Sequence, residues 1–406
     1  MHRAGAVCAK QCLLGLWLAG AAIAVAADAK APLGAAISRL EAALAADSAT
    51  AAAGPAATAR YAAGIVAAAL AAWEQSRHLD RPYFARSASV DGRPGLANPD
   101  NVYDSALLDG RGEYRIRGRR GTHAMLTLQI LDAYPIVALG RNLAAVDLDA
   151  QGVRPGEEFE LRLGGAPRPG LWFELPRDAR ALLVRQSFDD WVHETPTQLA
   201  IERLDQGAPA VDVTVPGASA ADYVAAADRI WNASYLPKLR QLPVNVLPPP
   251  RTSDTDAGGL GGQQSVMARY RLAPDEALLI TVERSDARYQ GIQLGDPWFV
   301  TPNWIDHQVS LTRAQAAVDA DGRMRLVISL RDPGVANWLD PAGFAEGFVF
   351  MRWQGLAAPL RAQAAPTAQL LKLAELEAHL PGDTRRVNAA GRAAQLALRQ
   401  RAPIRH

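Results

Sequence analysis

Cysteine is almost missing from this chain. Its 406 residues include two, Cys8 and Cys12. Both fall in an N-terminus that carries Arg3 and Lys10, an apolar core from Leu13 to Val25, and small residues up to Ala26 or Ala27. That order predicts a cleaved secretory signal over residues 1–27 and a periplasmic or secreted product. Such a product has no disulfide, no thiolate nucleophile and no Cys-ligated metal. About a dozen apolar residues are too few to span a ~30 Å hydrocarbon layer. Neither cysteine ends the apolar run, which argues against a lipoprotein, and no later stretch reads as an integral membrane segment.

An excess of either charge is missing too. The 43 Lys+Arg against 42 Asp+Glu leave no electrostatic case for nucleic acid or an anionic membrane as partner. There is no Gly-x-Ser-x-Gly elbow, phosphate-cradling loop or dinucleotide fingerprint after a strand. Gly258-Gly259-Leu260-Gly261-Gly262 follows a Pro/Ser/Thr/Asp loop and reads as a linker. His123, His193 and His307 are far apart and have no ligand spacing, so no metal site or cofactor is predicted. Ca²⁺ held by Asp and backbone oxygens is the one cation that leaves little trace in a sequence.

What is present is 49% hydrophobic residues, enough for at least one large core. Residues 28–80 are alanine-rich. Ile37, Leu40 and Leu44, then Ile65, Val66, Leu70 and Trp73, recur at helical spacing on either side of Gly54-Pro55, predicting a helical hairpin that docks on the main body. From residue 98 the texture becomes short strands between turns, predicted at 113–119, 123–131, 144–149, 159–163, 171–175, 181–187 and 197–204. They resume at 264–272, 278–283 and 323–330. This spacing predicts a mainly β fold, an antiparallel β-sandwich or jelly-roll.

Residues 219–242 read as a helical insertion, and 247–262 as a Pro/Gly linker. Each half alone is short of strands, so 81–360 is taken as one composite β unit. Residues 361–406 read as C-terminal helices: Leu370, Leu371, Leu373 and Leu376 give an apolar face, and Asn388 caps a last basic helix.

Four of the nine tryptophans fall within 286–353. Asp296, Trp298, Trp304, Asp306 and His307, with Asp332, Asn337, Trp338, Asp340 and Arg352, predict a half-apolar cleft. There indole faces would stack on a sugar or another flat ligand, and Asp and Asn would orient it. The competing reading makes these residues turn formers, caps and core fillers. A second set, Arg185, Asp189, Asp190, Trp191, His193 and Glu194, follows a strand. Its acids and histidine, with Asp332 as a further candidate, could serve acid–base chemistry if their environments split the pKa values. Otherwise they form a turn that Arg185 neutralises.

Four passages resemble bacterial proteins assigned to the domain of unknown function 1214 family, over most of residues 80–400. They are NPDNVYDSALLD (98–109) with YRIRGRRG (114–121), LLVRQSFDDWVHE (182–194), GDPWFV (295–300) and RDPGVANWLD (331–340). That family's usual partner, the domain of unknown function 1254, has no recognisable counterpart here. The resemblance implies a β-sandwich of jelly-roll type and brings no established reaction. The expectation is therefore an exported β protein that binds a small-molecule or glycan ligand. One alternative is a hydrolase or lyase using a carboxylate or His–carboxylate pair, and another is an envelope scaffold.

Overall fold

The computed structural model describes residues 32–47, 53–87, 94–205, 219–255 and 259–402. The predicted signal lies outside them.

The first half supplies β1 (Ala85–Ser87), β2 (Asn101–Leu107), β3 (Tyr114–Arg119), β4 (Met125–Leu131), β5 (Asn142–Asp147), β6 (Glu158–Leu163), β7 (Leu171–Phe173), β8 (Ala181–Ser187) and β9 (Gln198–Arg203). They form two sheets, ordered β1-β2-β8-β4-β5 and β7-β6-β3-β9. In β4, Leu126, Leu128 and Ile130 alternate with polar Thr127 and Gln129, so one face is apolar. That face joins Leu182 and Val184 of β8, Ile116 of β3 and Leu161 and Leu163 of β6 in one cluster. The two sheets therefore close on each other.

The second half repeats the plan. It contains β10 (Arg251–Thr252), β11 (Gln264–Arg271), β12 (Glu276–Glu283), β13 (Tyr289–Gly295), β14 (Ser310–Thr312), β15 (Arg323–Ser329), β16 (Trp338–Leu339), β17 (Glu346–Gln354) and β18 (Thr367–Lys372). The sheets are β10-β11-β17-β13-β14 and β16-β15-β12-β18, closed over Val266, Ile280, Leu294, Leu326, Met351 and Trp353.

Three expectations are corrected. No sheet draws strands from both halves, so 81–360 is two sheet pairs rather than one composite unit. Each half has enough strands because short ones such as β1, β7, β10, β14 and β16 carry too few residues to show a period. The sheets are not purely antiparallel, since β6–β7 and β15–β16 pair in parallel. The run expected to open the C-terminal helices, Thr367–Lys372, is instead a strand on the edge of β12. Leu371 is buried while Leu370 is 43% exposed, which is a two-residue period. The helical spacing came from Leu373 and Leu376, which lie in the 3₁₀ turn that follows.

Helix α1 covers 32–46 and α2 covers Pro55–Ser76, with proline in its first turn, where its missing N–H costs nothing. α3 (Ala220–Asp228) starts on a Ser219–Asp222 capping box and runs through a π-helical stretch, Arg229–Tyr235, into α4 (Leu236–Leu239). By length and composition α2 could cross a membrane, which amends the reading that no later segment could. Its Tyr61, Ile65, Ala69 and Ala72 are buried in a cluster with Tyr223, Trp231, Leu107, Trp298 and Phe348. The helices thus cover one end of both sheet pairs. The last helix, α5 (Ala389–Arg401), is capped by Asn388, whose side chain accepts from Gly391 N.

Candidate functional site

The two sheet pairs meet along β8 and β17. Ser187 Oγ donates to Gln354 Oε1 across the seam at 3.1 Å. Two residues along each strand, on the same faces, stand Arg185 and Arg352, and two further stand Leu183 and Phe350. Neighbouring strands add Tyr103 beside Arg185, Gln129 beside Leu183, Ser265 beside Arg352 with Met267 beside Phe350, and Gln293 beside Phe350.

Arg185 Nε donates to Gln129 Oε1 at 3.0 Å, and its guanidinium lies 5.6 Å from the Tyr103 ring centre. Arg352 Nη1 donates to Gln293 Oε1 and its guanidinium sits 3.7 Å above Phe350. Gln129 and Gln293 have no exposed surface and Arg352 has 7%. Tyr103, Leu183, Arg185, Ser265, Met267 and Phe350 stay half-buried, although they lie mid-strand on facing sheets. Each therefore keeps accessible surface between the facing sheets. Burial lowers the pKa of both arginines, and at Arg352 the charge of Arg185 adds to it.

Beside this space Asp100 accepts from Tyr289 Oη at 2.8 Å and from Ser310 Oγ at 3.3 Å. Burial pushes its carboxyl up to about 6, against the pull of Tyr289, Arg399 and Arg352. Arg399 reaches in from α5, donating to Ser310 O at 2.9 Å and Trp304 O at 3.0 Å, and lies over the Trp191 ring at 4.4 Å. Burial lowers it to about 10.

The residues singled out in the sequence do not converge on one cleft. Asp296 is sealed in a turn, accepting Trp298 N and Val300 N at 2.9 and 3.0 Å, and Trp298 stacks on Tyr61 of α2 at 5.5 Å. Trp304 is core, edge-on to Trp191. Asp306 accepts from Asn303 and Gln400 at the surface. Asp332 takes a two-pronged pair from Arg392 of α5 at 2.9 and 3.0 Å, and Arg392 lies over Trp338. Asn337 clamps the backbone of Ala317. His307 Nδ1 meets Asp340 Oδ2 at 2.7 Å, near the surface. Of the ten, only Arg352 faces the seam.

In the second set Arg185 also faces the seam, and the acids belong to the β8–β9 loop. Asp189 accepts from Arg313 Nε at 2.9 Å. Asp189 N donates to Glu194 Oε2 at 2.8 Å. Asp190 pairs with exposed His193 at 2.7 Å. Next to them a groove of about 260 Å³ is lined by Asp190, Trp191, Gln315, Arg385 and Leu398. Among the described residues no group of three or more His, Cys, Asp or Glu could hold a metal ion.

The seam residues missed in the sequence are Tyr103, Gln129, Gln293 and Phe350. For the two glutamines the signal is an amide between apolar neighbours mid-strand, Gln129 between Leu128 and Ile130 and Gln293 between Ile292 and Leu294.

The buried acids set an unusual pH response. Burial raises Asp100 to about 6, and Asp296 and Glu194 each to about 7, so the folded chain holds these protons where the unfolded chain releases them. His123 opposes this. Burial lowers it to about 3, so below pH ~6.5 only the unfolded chain takes that proton. Three acids outweigh one histidine, and stability is expected to rise on going from pH 8 to 5, by on the order of 1 kcal/mol per pH unit. Melting curves across that range check it, with Asp296→Asn flattening the slope near pH 7. A midpoint that falls steadily toward pH 5 contradicts it.

No known family profile matches the chain, and no curated protein does. Among solved structures, an uncharacterized protein from Burkholderia cenocepacia is 30% identical, with a TM-score of 0.71, over 86% of this chain and 98% of that one. A protein from Vibrio parahaemolyticus is 10% identical, with a TM-score of 0.45, over 77% and 97%.

Proposed function

The chain belongs to the family of the uncharacterized Burkholderia cenocepacia protein, and from that premise we propose that it is an exported protein that binds a small organic ligand in the seam between its two sheet pairs. The four motif passages support assignment to the domain of unknown function 1214 family. The closure of each sheet pair over an apolar core, with Val102, Phe188 and Trp191 of the first half reaching into the second, supports reading the fold as two stacked β-sandwiches of jelly-roll type.

One observation carries the binding reading. The middle of the seam holds Arg185, Tyr103 and Phe350 around space that the facing sheets leave uncovered. Sheets that met only for stability would fill it, because unfilled interior forfeits contact energy. A hydrolase would draw on His307–Asp340, yet among the described residues no hydroxyl bonds that histidine's other nitrogen, and binding is the better-supported reading.

The test is a thermal-shift panel of neutral sugars, neutral apolar compounds and organic acids, on the unaltered chain and on Ser265→Phe, which fills the space. A ligand raises the midpoint by mass action. A shift given by one class and lost in Ser265→Phe is the expected result. A shift that survives the filled variant, or none from any class, rejects the seam as the site.

A further inference from the structure

Among the described residues neither Arg185 nor Arg352 pairs with a carboxylate, and each makes one hydrogen bond, to a neutral glutamine. The nearby acid, Asp100, is held by Tyr289 and Ser310, and its charge acts on Arg352 and Arg399 alike without a hydrogen bond to either. Two like charges enclosed in one layer are costly unless an anion joins them.

Toward the helices apolar side chains join Gln129 and Gln293 in lining the space. Leu183, Met267 and Phe350 lie one two-residue step from the arginines and pack against the helix-covered cluster. That step is roughly 6.6 Å, the length of one ring or a short alkyl chain. Arginine's planar fork matches a carboxylate, which can accept from both guanidinia.

Resting on the proposed seam site, we infer that its ligand is a small monocarboxylate, bound head-first between Arg185 and Arg352 with a ring or short chain against Leu183, Met267 and Phe350.

Calorimetric titration of the full chain with benzoate and hexanoate, with benzamide and hexanamide as neutral counterparts, and with inorganic phosphate decides it. The acids are expected to bind about tenfold or more tightly than their amides, as loss of charge-assisted hydrogen bonds predicts. Arg185→Met and Arg352→Met should each erase that preference, and Phe350→Ala should weaken acid and amide alike. If a Met variant does not fold, the acid–amide comparison on the unaltered chain decides alone. Amides that match acids overturn the carboxylate while leaving the seam site standing. Phosphate that binds as well as benzoate overturns the apolar half. If none of these compounds binds and the wider panel is silent too, the seam reading falls with it.

Discussion

Asp149→Ala is expected to cost about 3 kcal/mol, the low end for breaking a buried ion pair. Asp149 follows β5 and accepts from Arg120 Nε at 2.8 Å and Arg120 Nη2 at 3.2 Å. It also accepts from Leu126 N at 3.2 Å, and from Arg288 Nη2 of the second half. The Arg120 side chain is 2% exposed, so alanine leaves a buried cation without its acid. Two of that cation's bonds survive, to Gly121 O and His123 O, which is why the loss sits at the low end. Burial alone would raise the Asp149 pKa, but the hydrogen bond and charge of Arg120 hold it below the usual value.

Because Arg288 belongs to the other sheet pair, a double-mutant cycle of Asp149→Ala with Arg288→Ala measures what this link contributes between the halves. Urea denaturation should show the double variant losing less than the sum of the singles. Strictly additive losses, with Asp149→Ala below about 1 kcal/mol, would show the link to be solvent-screened and idle.

Gly291→Ala is expected to cost about 3 kcal/mol through overpacking. Gly291 is not needed for its backbone angles. It is needed for space: a Cβ there would overlap Tyr289 Oη and lie 2.8 Å from Asp100 Oδ2. The hydroxyl it would displace accepts from Asn98 Nδ2 at 2.7 Å and donates to Asp100, so the variant unsettles a buried network. Tyr289→Phe in the same chain removes the colliding oxygen. If the clash is the cause, the double variant should recover part of the stability lost by Gly291→Ala in urea titrations. A double variant that is worse than both singles together would assign the cost elsewhere.

The first half was more legible in sequence than the second for a physical reason. β4, β6 and β8 each show one apolar face, and the expected strands at 123–131, 159–163 and 181–187 enclose or nearly match the observed ones. β13 and β17 escaped notice because both faces mix polar and apolar residues: Gln290 stands with Ile292 and Leu294 on one face, and Gln293 and Arg352 stand with Phe348 and Phe350 on the other. A strand covered on two sides by chemically different neighbours shows no simple alternation.

The same effect hid the candidate site. Tryptophan and acid density drew attention to 286–353, but Trp298, Trp304 and Trp338 serve packing and Asp296, Asp332 and Asp340 serve turns and a helix anchor. Arg185 and Arg352 were both noted, in separate sets 167 residues apart, and nothing in the spacing of single residues shows that β8 lies across from β17. That pairing is a property of the layer stacking alone.

The polar seam also bears on how the chain is made. Strands β1–β9 precede β10–β18, and the first set closes on a core drawn from its own half, so the earlier sheet pair can fold before its companion leaves the ribosome. Until then the face destined for the seam meets water. It offers Tyr103, Thr127, Gln129, Arg185 and Ser187, a surface that water solvates and other nascent chains have little reason to stick to. An apolar joint between the halves would hold them more firmly once complete. It would also leave every half-synthesised molecule with a broad sticky flank, which the seam's chemistry narrows to Val102, Phe188 and Trp191, the first-half residues buried in the second half's core.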